Sequence, residues 1–291
     1  MTHTETSRCC ALGYRWLGVD FSGDHQQWRA GRTKSNVWIA DVRQEGSEKV
    51  LCSLIRVQEL ASDDETPPFV RLVELLRSGE YDAAAIDAPF SVPRQFVTDG
   101  SHSALLARVG AIELTDKRPF PNGSAFVKAI AGQDPPLNPP KPLRRTERFW
   151  LSTGVNVRST LWAGARGGAA MTAACITLLH LAGRPIWPWR EPAAPGLLVE
   201  AFPAAQLRHW GLPHQAYSGN SPEAAAVRDQ ILTAVGQRLD LPERIVAAAA
   251  GCADALDAIL CAFAAIAVTV EKVAHRFEPT SEMEGWIAVH D

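Results

Sequence analysis

The 291-residue sequence lacks the short signatures that assign an enzyme class directly. It contains neither a P-loop nor a G-x-G-x-x-G pattern, and none of its serines lies in the G-x-S-x-G elbow of serine hydrolases. Its six cysteines form no C-x-x-C pair, so we expect buried, reduced thiols instead of a zinc site. A serine hydrolase and a zinc protein are therefore both disfavoured.

The sequence also lacks a strong charge of one sign and a run long enough to span a membrane. The formal net charge is −3 and the isoelectric point is near 6.3, so any nucleic-acid-binding surface must be local. The most apolar stretch, residues 255–270, is too short for a span and contains Asp257, which favours a buried helix. The N-terminus is polar and has no signal-peptide core. We predict a cytoplasmic protein without a membrane partner, with a disordered tail at residues 1–13 and one domain at residues 14–291.

What the sequence does contain is a repeated pattern in which a short apolar run delivers an acidic residue. The pattern delivers Asp20 and Asp87 from two predicted strands, Glu200 from a third, and Asp254 and Asp257 from a predicted helix. An unpaired charge in an apolar segment is costly, and several such charges together require a cation. Oxygen ligands favour Mg²⁺ or Mn²⁺. We therefore predict that the fold gathers these acids around divalent metal ions.

The distribution of apolar residues predicts an α/β fold with a five-stranded mixed sheet that is flanked by helices. The predicted strands are at residues 14–22, 36–42, 49–57, 83–87 and 197–202. Short connections between the first three imply antiparallel pairing. The fourth strand follows a helix predicted at 69–77, and it is apolar on both faces, as a buried parallel strand is.

The long segment between the fourth and fifth strands, residues 90–195, is predicted to be a helical insertion, with helices at 102–109 and 169–181. The chain after the fifth strand is predicted to be mostly helical. These helices are predicted at residues 204–210, 222–239, 242–250 and 253–273. Residues 284–290 are expected to form a short terminal strand or a tail.

Two acids of the predicted last helix have a spacing that suits a shared ligand role. Asp254 and Asp257 are three residues apart, so they lie on one helix face, and the apolar residues around them indicate that this face is partly buried. The alternative is that Asp254 caps the helix after a break at Gly251. Capping would not explain the acids on the predicted strands.

A local basic segment could form the substrate surface, since residues 117–166 contain nine basic and two acidic side chains. We predict that it grips nucleic-acid phosphates while neighbouring aromatic side chains stack on bases. The predicted contacts are Lys128, Lys141, Arg144, Arg145, Arg148, Arg158 and Arg166. The alternative is a solvated, salt-bridged helix. Glu200 could then be a partner of one of these arginines, or else a metal ligand or a base.

Together, these motifs resemble the domain-of-unknown-function 429 family, whose members are labelled predicted RNase H-like nucleases. The segments that carry the resemblance are 18–20, 86–89, 199–203, 253–262 and 284–287. The helix at 253–262 also resembles the C-terminal catalytic helix of RuvC-type resolvases, with two acids at the same spacing. The resemblance covers about residues 14–290, and the order and spacing of the motifs make it more specific than any single one.

The resemblance implies an RNase H-like fold and a two-metal phosphodiester hydrolase. In such a site Asp20 would bridge two ions of Mg²⁺ or Mn²⁺, Asp87 would hold one, and Asp254 or Asp257 would hold the other. Glu200 would be a further ligand or would orient the water. The chain departs from RuvC at Asp87, where RuvC has Glu, and its insertion has no RuvC counterpart, so the RuvC substrate does not carry over.

The predicted function is therefore metal-dependent cleavage of nucleic acid, with DNA and RNA both open as the substrate and a homodimer open as the assembly. One alternative is a phosphate- or nucleotide-binding ATPase-like protein of the same fold, although those proteins duplicate the domain and this sequence shows no second copy. Another is a non-catalytic scaffold. A scaffold predicts acids that lie more than about 10 Å apart, too far to share a metal ion.

Overall fold

The protein has a mixed α/β architecture built on one five-stranded sheet, and the computed structural model describes residues 13–60, 66–97, 100–114, 117–190, 195–275 and 281–291. The strands are β1 (Arg15–Asp20), β2 (Trp38–Glu45), β3 (Glu48–Arg56), β4 (Ala83–Asp87) and β5 (Leu197–Glu200). Their spatial order is β3-β2-β1-β4-β5. The predicted disordered tail lies outside the described residues, apart from Gly13.

The strand pairing confirms the predicted mixed sheet. The pairs β1–β2 and β2–β3 are antiparallel, whereas β1–β4 and β4–β5 are parallel. Gly46, with a φ of 63°, allows a tight turn between β2 and β3. The parallel β4 requires a crossover connection, and helix α1 (Pro68–Ser78) lies within it. Helix α1 begins at Pro68 and ends before Gly79 in the left-handed conformation, as its sequence signals predict.

The segment between β4 and β5 is the helical insertion that the sequence predicts. It contains α2 (His102–Gly110), α3 (Gly123–Ala131), α4 (Arg145–Ser152) and α5 (Ala169–Ala182). The later helices are α6 (Pro203–His209), α7 (Pro222–Val235), α8 (Glu243–Gly251), α9 (Ala253–Thr269) and α10 (Ser281–Glu284). In the segment predicted to be a terminal strand or a tail, Glu284 ends α10 and residues 285–289 form neither a helix nor a strand. Gly285 has a φ of 76°, and His290 makes an isolated antiparallel bridge with Val273.

Helix α9 packs closely across one face of the sheet. Successive side chains of a strand point to opposite faces, so Trp16 packs on the side of α9 and Leu17 on the side of α1 and α5. Gly18, two residues after Trp16, also faces α9 but has no side chain, and a Cβ atom there would lie 2.0 Å from the carbonyl oxygen of Ala258. The close approach at Gly18 brings the start of α9 to the ends of β1 and β4.

The apolar stretch that predicted a buried helix lies in α9, where every residue from Ala258 to Ala267 is buried. Within the described ranges, no single helix combines the length and the hydropathy that a membrane crossing needs. Helices α8 and α9 have the necessary length and hydropathy only when taken together, and they are bent by 118° relative to each other.

Candidate metal centre and active-site cleft

Three aspartates from distant parts of the chain, which we call the aspartate centre, converge at one end of the sheet. Asp20 ends β1 and Asp87 ends β4, and the parallel register makes these two residues direct neighbours. Asp257 reaches them from the start of α9. Potential ligand oxygens of the three side chains all lie within 4.8 Å of one another. The wide spacing expected of a non-catalytic scaffold is therefore not observed for these residues.

Asp254 does not belong to this group, although it precedes Asp257 by three residues. The alternative prediction that Asp254 caps the helix is wrong, because α8 continues to Gly251 and the chain turns at Cys252, which is the N-cap residue of α9. Asp254 lies in the first turn instead. Burial raises the pKa of Asp254, whereas the positive charge of Arg56 opposes this rise. The guanidinium of Arg56 is thus close enough to Asp254 to stabilise its negative charge.

Burial and mutual repulsion disfavour the charged forms of the aspartate centre. Burial raises the pKa of Asp20 well above its usual range, and the charges of Asp257 and Asp87 raise it further. Burial raises the pKa of Asp87 to about 7, with Glu200 adding to the rise and Arg158 opposing it. The pKa of Asp257 is raised by burial and by Asp87. Three such carboxylates favour either bound protons or a bound cation.

The aspartate centre has the ligands for a divalent cation and no described basic side chain paired with them. Among the described residues, no lysine or arginine forms an ion pair with Asp20, Asp87 or Asp257. Carboxylate oxygens are the ligands that Mg²⁺ and Mn²⁺ prefer. Three of them at this spacing can contact one ion, which would offset the repulsion that raises their pKa values.

Glu200 belongs to a second buried cluster, which we call the Arg144 cluster and which consists of Arg144, Glu147 and Glu200. The carboxylate of Glu200, at the end of β5, accepts hydrogen bonds from Arg144 Nη1 at 2.8 Å and from the backbone N–H of Phe90 at 3.0 Å. Arg144 Nε donates to Glu147 at 2.8 Å. Of the three roles left open for Glu200, the structure shows the arginine partner.

Arg144 does not lie on the surface, where a nucleic-acid contact was predicted, because its side chain is only 1% exposed between two carboxylates. Other members of the predicted basic set are exposed but engaged locally. Lys128 forms an ion pair with Asp134 at 3.2 Å, and Lys141 lies 4.8 Å from the centre of the Trp162 ring. These two lysines therefore fit the alternative of a solvated, paired surface as well as the predicted one.

The remaining basic residues border two different concave surfaces or lie in the open. Arg145 and Arg148 border a groove that includes Glu284. Arg166 is exposed and has a φ of 56°. Arg158 is the exposed member of the set that lines the same cleft as the aspartate centre.

That cleft has a volume of about 610 Å³ and lies between the sheet end and the insertion. Its walls combine acidic residues, two arginines (Arg144 and Arg158) and three glycines. The lining includes Ser22, Gly23, Asp87, Asn156, Arg158, Gly168, Met171, Tyr217 and Asp257. The turn after β1 fits tightly against α5, since a Cβ atom on Gly23 would lie 2.4 Å from the backbone nitrogen of Met171. The insertion therefore shapes the entrance to the aspartate centre.

Tyr217 is the residue of this site that the sequence analysis missed. Its hydroxyl donates a hydrogen bond to Asp257 Oδ1 at 2.9 Å, and this bond lowers the pKa of Asp257 against the effect of burial. Tyr217 lies in the irregular connection between α6 and α7, where no periodic pattern marks a residue as buried. The only available signal was an aromatic side chain in a segment of small and polar residues.

Comparison with known proteins gives a match to one protein family, and the matched range includes the site. A family model described as "Protein of unknown function (DUF429)" matches residues 18–282. No curated protein and no solved structure gives a match. The matched range contains every residue of the aspartate centre and of the Arg144 cluster.

Proposed function

We propose that this chain, which belongs to the DUF429 family of proteins of unknown function, is a metal-dependent hydrolase of phosphodiester bonds in nucleic acid. The observation that carries the proposal is the aspartate centre, in which β1, β4 and α9 each contribute one carboxylate within 4.8 Å of the others. Acids on a first strand, on its parallel neighbour and on a helix across the sheet also suit an RNase H-like fold, which we propose for this sheet.

In this proposal Asp20, Asp87 and Asp257 hold Mg²⁺ or Mn²⁺. Such an ion, when bound, lowers the pKa of water and stabilises negative charge on a phosphate. The centre supplies ligands for at least one ion. A second ion would share Asp20 and would need Asp254, because Arg144 and a backbone N–H already engage Glu200. The stoichiometry of Mn²⁺ binding separates the one-ion site from the two-ion site.

Arg158 is the basic residue best placed to hold the substrate phosphate. Its exposed side chain lines the cleft, and its positive charge lowers the pKa of Asp87. No described residue forms an ion pair with Arg158. A guanidinium can bind phosphate through two parallel hydrogen bonds. The exposed residues that we propose for the rest of a nucleic-acid strand are Lys128, Lys141, Arg145, Arg148 and Arg166.

The test is a nuclease assay with Mn²⁺ or Mg²⁺ on single-stranded, duplex and branched DNA and on RNA. We expect cleavage that requires the metal and is lost in Asp20→Asn. The matched control is Asp41→Asn, since Asp41 is equally buried, at 7% exposure, but is paired with Arg15 and Arg43. Metal-dependent cleavage should survive in this control. Equal cleavage by Asp20→Asn and the wild type would assign the activity to a contaminant.

A further inference from the structure

Tyr217 lies outside the helices and strands, and a hydrogen bond joins its side chain to the aspartate centre. Its hydroxyl donates to Asp257 Oδ1 at 2.9 Å, and its side chain lines the cleft while the residue is only 7% exposed. The chain has three tyrosines. Another buried one, Tyr81, donates its hydroxyl to the backbone carbonyl of Leu76 at 2.7 Å and does not line the cleft. The two residues therefore offer a matched comparison.

The backbone that carries Tyr217 is fixed from both sides. Ala216, directly before it, has a φ of 64°, a left-handed conformation that costs free energy for a residue other than glycine. The buried guanidinium of Arg228 donates to the carbonyl oxygens of Tyr217 at 2.6 Å and of Gly219 at 2.8 Å. It also donates at 2.6 Å to the carbonyl of Ala250, at the end of α8. Arg228 thus ties the tyrosine loop to the segment from which α9 starts.

We infer that Tyr217 is a positioning residue for the metal ligand Asp257, an inference that rests on the proposed function. A hydroxyl that donates to one carboxylate oxygen fixes the orientation of the side chain and leaves the second oxygen for a cation. Groups that hydrogen-bond to metal ligands act in this way, and their loss weakens metal binding or activity by roughly 10- to 100-fold. The strained Ala216 and the buried Arg228 hold the hydroxyl where this orientation is set.

The experiment is a Mn²⁺ titration followed by electron paramagnetic resonance for the wild type, Tyr217→Phe and Tyr81→Phe. Each variant removes one buried hydroxyl and keeps the aromatic ring. We expect Tyr217→Phe to bind Mn²⁺ roughly 10-fold or more weakly, and Tyr81→Phe to bind it as the wild type does. The thermal midpoints without metal show whether each variant is folded. Equal affinity in folded Tyr217→Phe and Tyr81→Phe would overturn the inference.

A second variant tests the inference should Tyr217→Phe fail to fold. Arg228→Lys keeps the tyrosine hydroxyl but loses most of the hydrogen bonds that anchor its loop. We expect weaker Mn²⁺ binding than in the wild type, and unchanged affinity would contradict a positioning role. A wild type that binds no Mn²⁺ would instead refute the proposed metal centre itself, and the inference with it. The failure of the centre and the failure of the tyrosine role therefore give different results.

Discussion

Two clusters of buried acidic side chains lie next to each other in this molecule and differ in how their charge is balanced. In the Arg144 cluster, a guanidinium of the chain is enclosed between Glu147 and Glu200 and bonded to both. In the aspartate centre, three carboxylates meet and no described lysine or arginine pairs with them. The protein thus supplies a cation where acids have a structural role. This contrast supports our proposal that the aspartate centre binds a cation from solution.

The Arg144 cluster also has a clear structural task. Arg144 precedes α4 of the insertion, Glu200 ends β5, and a further bond of 3.2 Å joins Arg144 Nη1 to the carbonyl oxygen of Glu284. Three separate segments are fastened together beside the cleft. One cluster therefore builds the wall of the site, while the other provides the groups that we propose for the chemistry.

The largest expected effect comes from removing the internal cation. Arg144→Met leaves Glu147 and Glu200 buried without their partner, and breaking a buried pair in this way costs about 3–5 kcal/mol. Urea unfolding monitored by circular dichroism measures the loss. The control is Arg148→Met, an exposed neighbour, whose effect should be within about 0.5 kcal/mol. Equal losses of unfolding free energy in the two variants would contradict the claim that Arg144 balances the buried charge of Glu147 and Glu200.

The second prediction concerns the effect of added Mn²⁺ on the unfolding free energy. At a free Mn²⁺ concentration 100 times its dissociation constant, the wild type should gain about 2.7 kcal/mol of unfolding free energy. Asp20→Asn should gain far less, because one ligand is lost. Without metal, however, Asp20→Asn should be more stable than the wild type, since it removes one of three repelling charges. A metal-free Asp20→Asn that is less stable would contradict the proposed repulsion.

A third prediction separates a ligand role of Glu200 from its role as the partner of Arg144. Glu200→Gln removes the charge from a buried pair and should cost about 1–3 kcal/mol. Mn²⁺ affinity, measured by calorimetry, should not change, because the carboxylate of Glu200 is engaged by Arg144. Loss of Mn²⁺ binding in a folded Glu200→Gln protein would place Glu200 in the metal centre.

The fourth prediction concerns the pH dependence of stability. The pKa of Asp87 is about 7 in the folded chain, against an ordinary value of 3.8, so the folded state binds this proton more tightly than the unfolded chain. The unfolding free energy of the metal-free protein should therefore fall as pH rises from 3.8 towards 7, and this contribution should then level off. Thermal midpoints should be higher at pH 5 than at pH 8 without metal. Asp87→Asn should reduce this difference, and an unchanged difference would exclude Asp87 as its source.

Sequence patterns predicted the aspartates on the strands because a strand has a simple geometry. Asp20 and Asp87 each end an apolar run, and two such ends meet when the strands are parallel neighbours. The choice between Asp254 and Asp257 could not be predicted, since a spacing of three places both on one helix face. The structure decides it through the close contact of Gly18 with Ala258, which fixes how α9 lies on β1.

The burial of Arg144 was a feature that the sequence did not reveal. Arg144 lies in a basic segment whose other members are largely exposed, and arginines are seldom fully buried unless paired. Its pairing with Glu200 spans 56 residues and depends on the path of the insertion. Tyr217 was missed for a related reason, because its position follows from Arg228 and from the backbone at Ala216.

The most direct test is a crystal of the protein soaked in Mn²⁺, with anomalous diffraction recorded to locate the metal. We predict an anomalous peak among Asp20, Asp87 and Asp257, within bonding distance of a carboxylate oxygen of each. The Arg144 cluster should show no peak. An aspartate centre without manganese at saturating concentration would contradict the claim that this site takes its cation from solution.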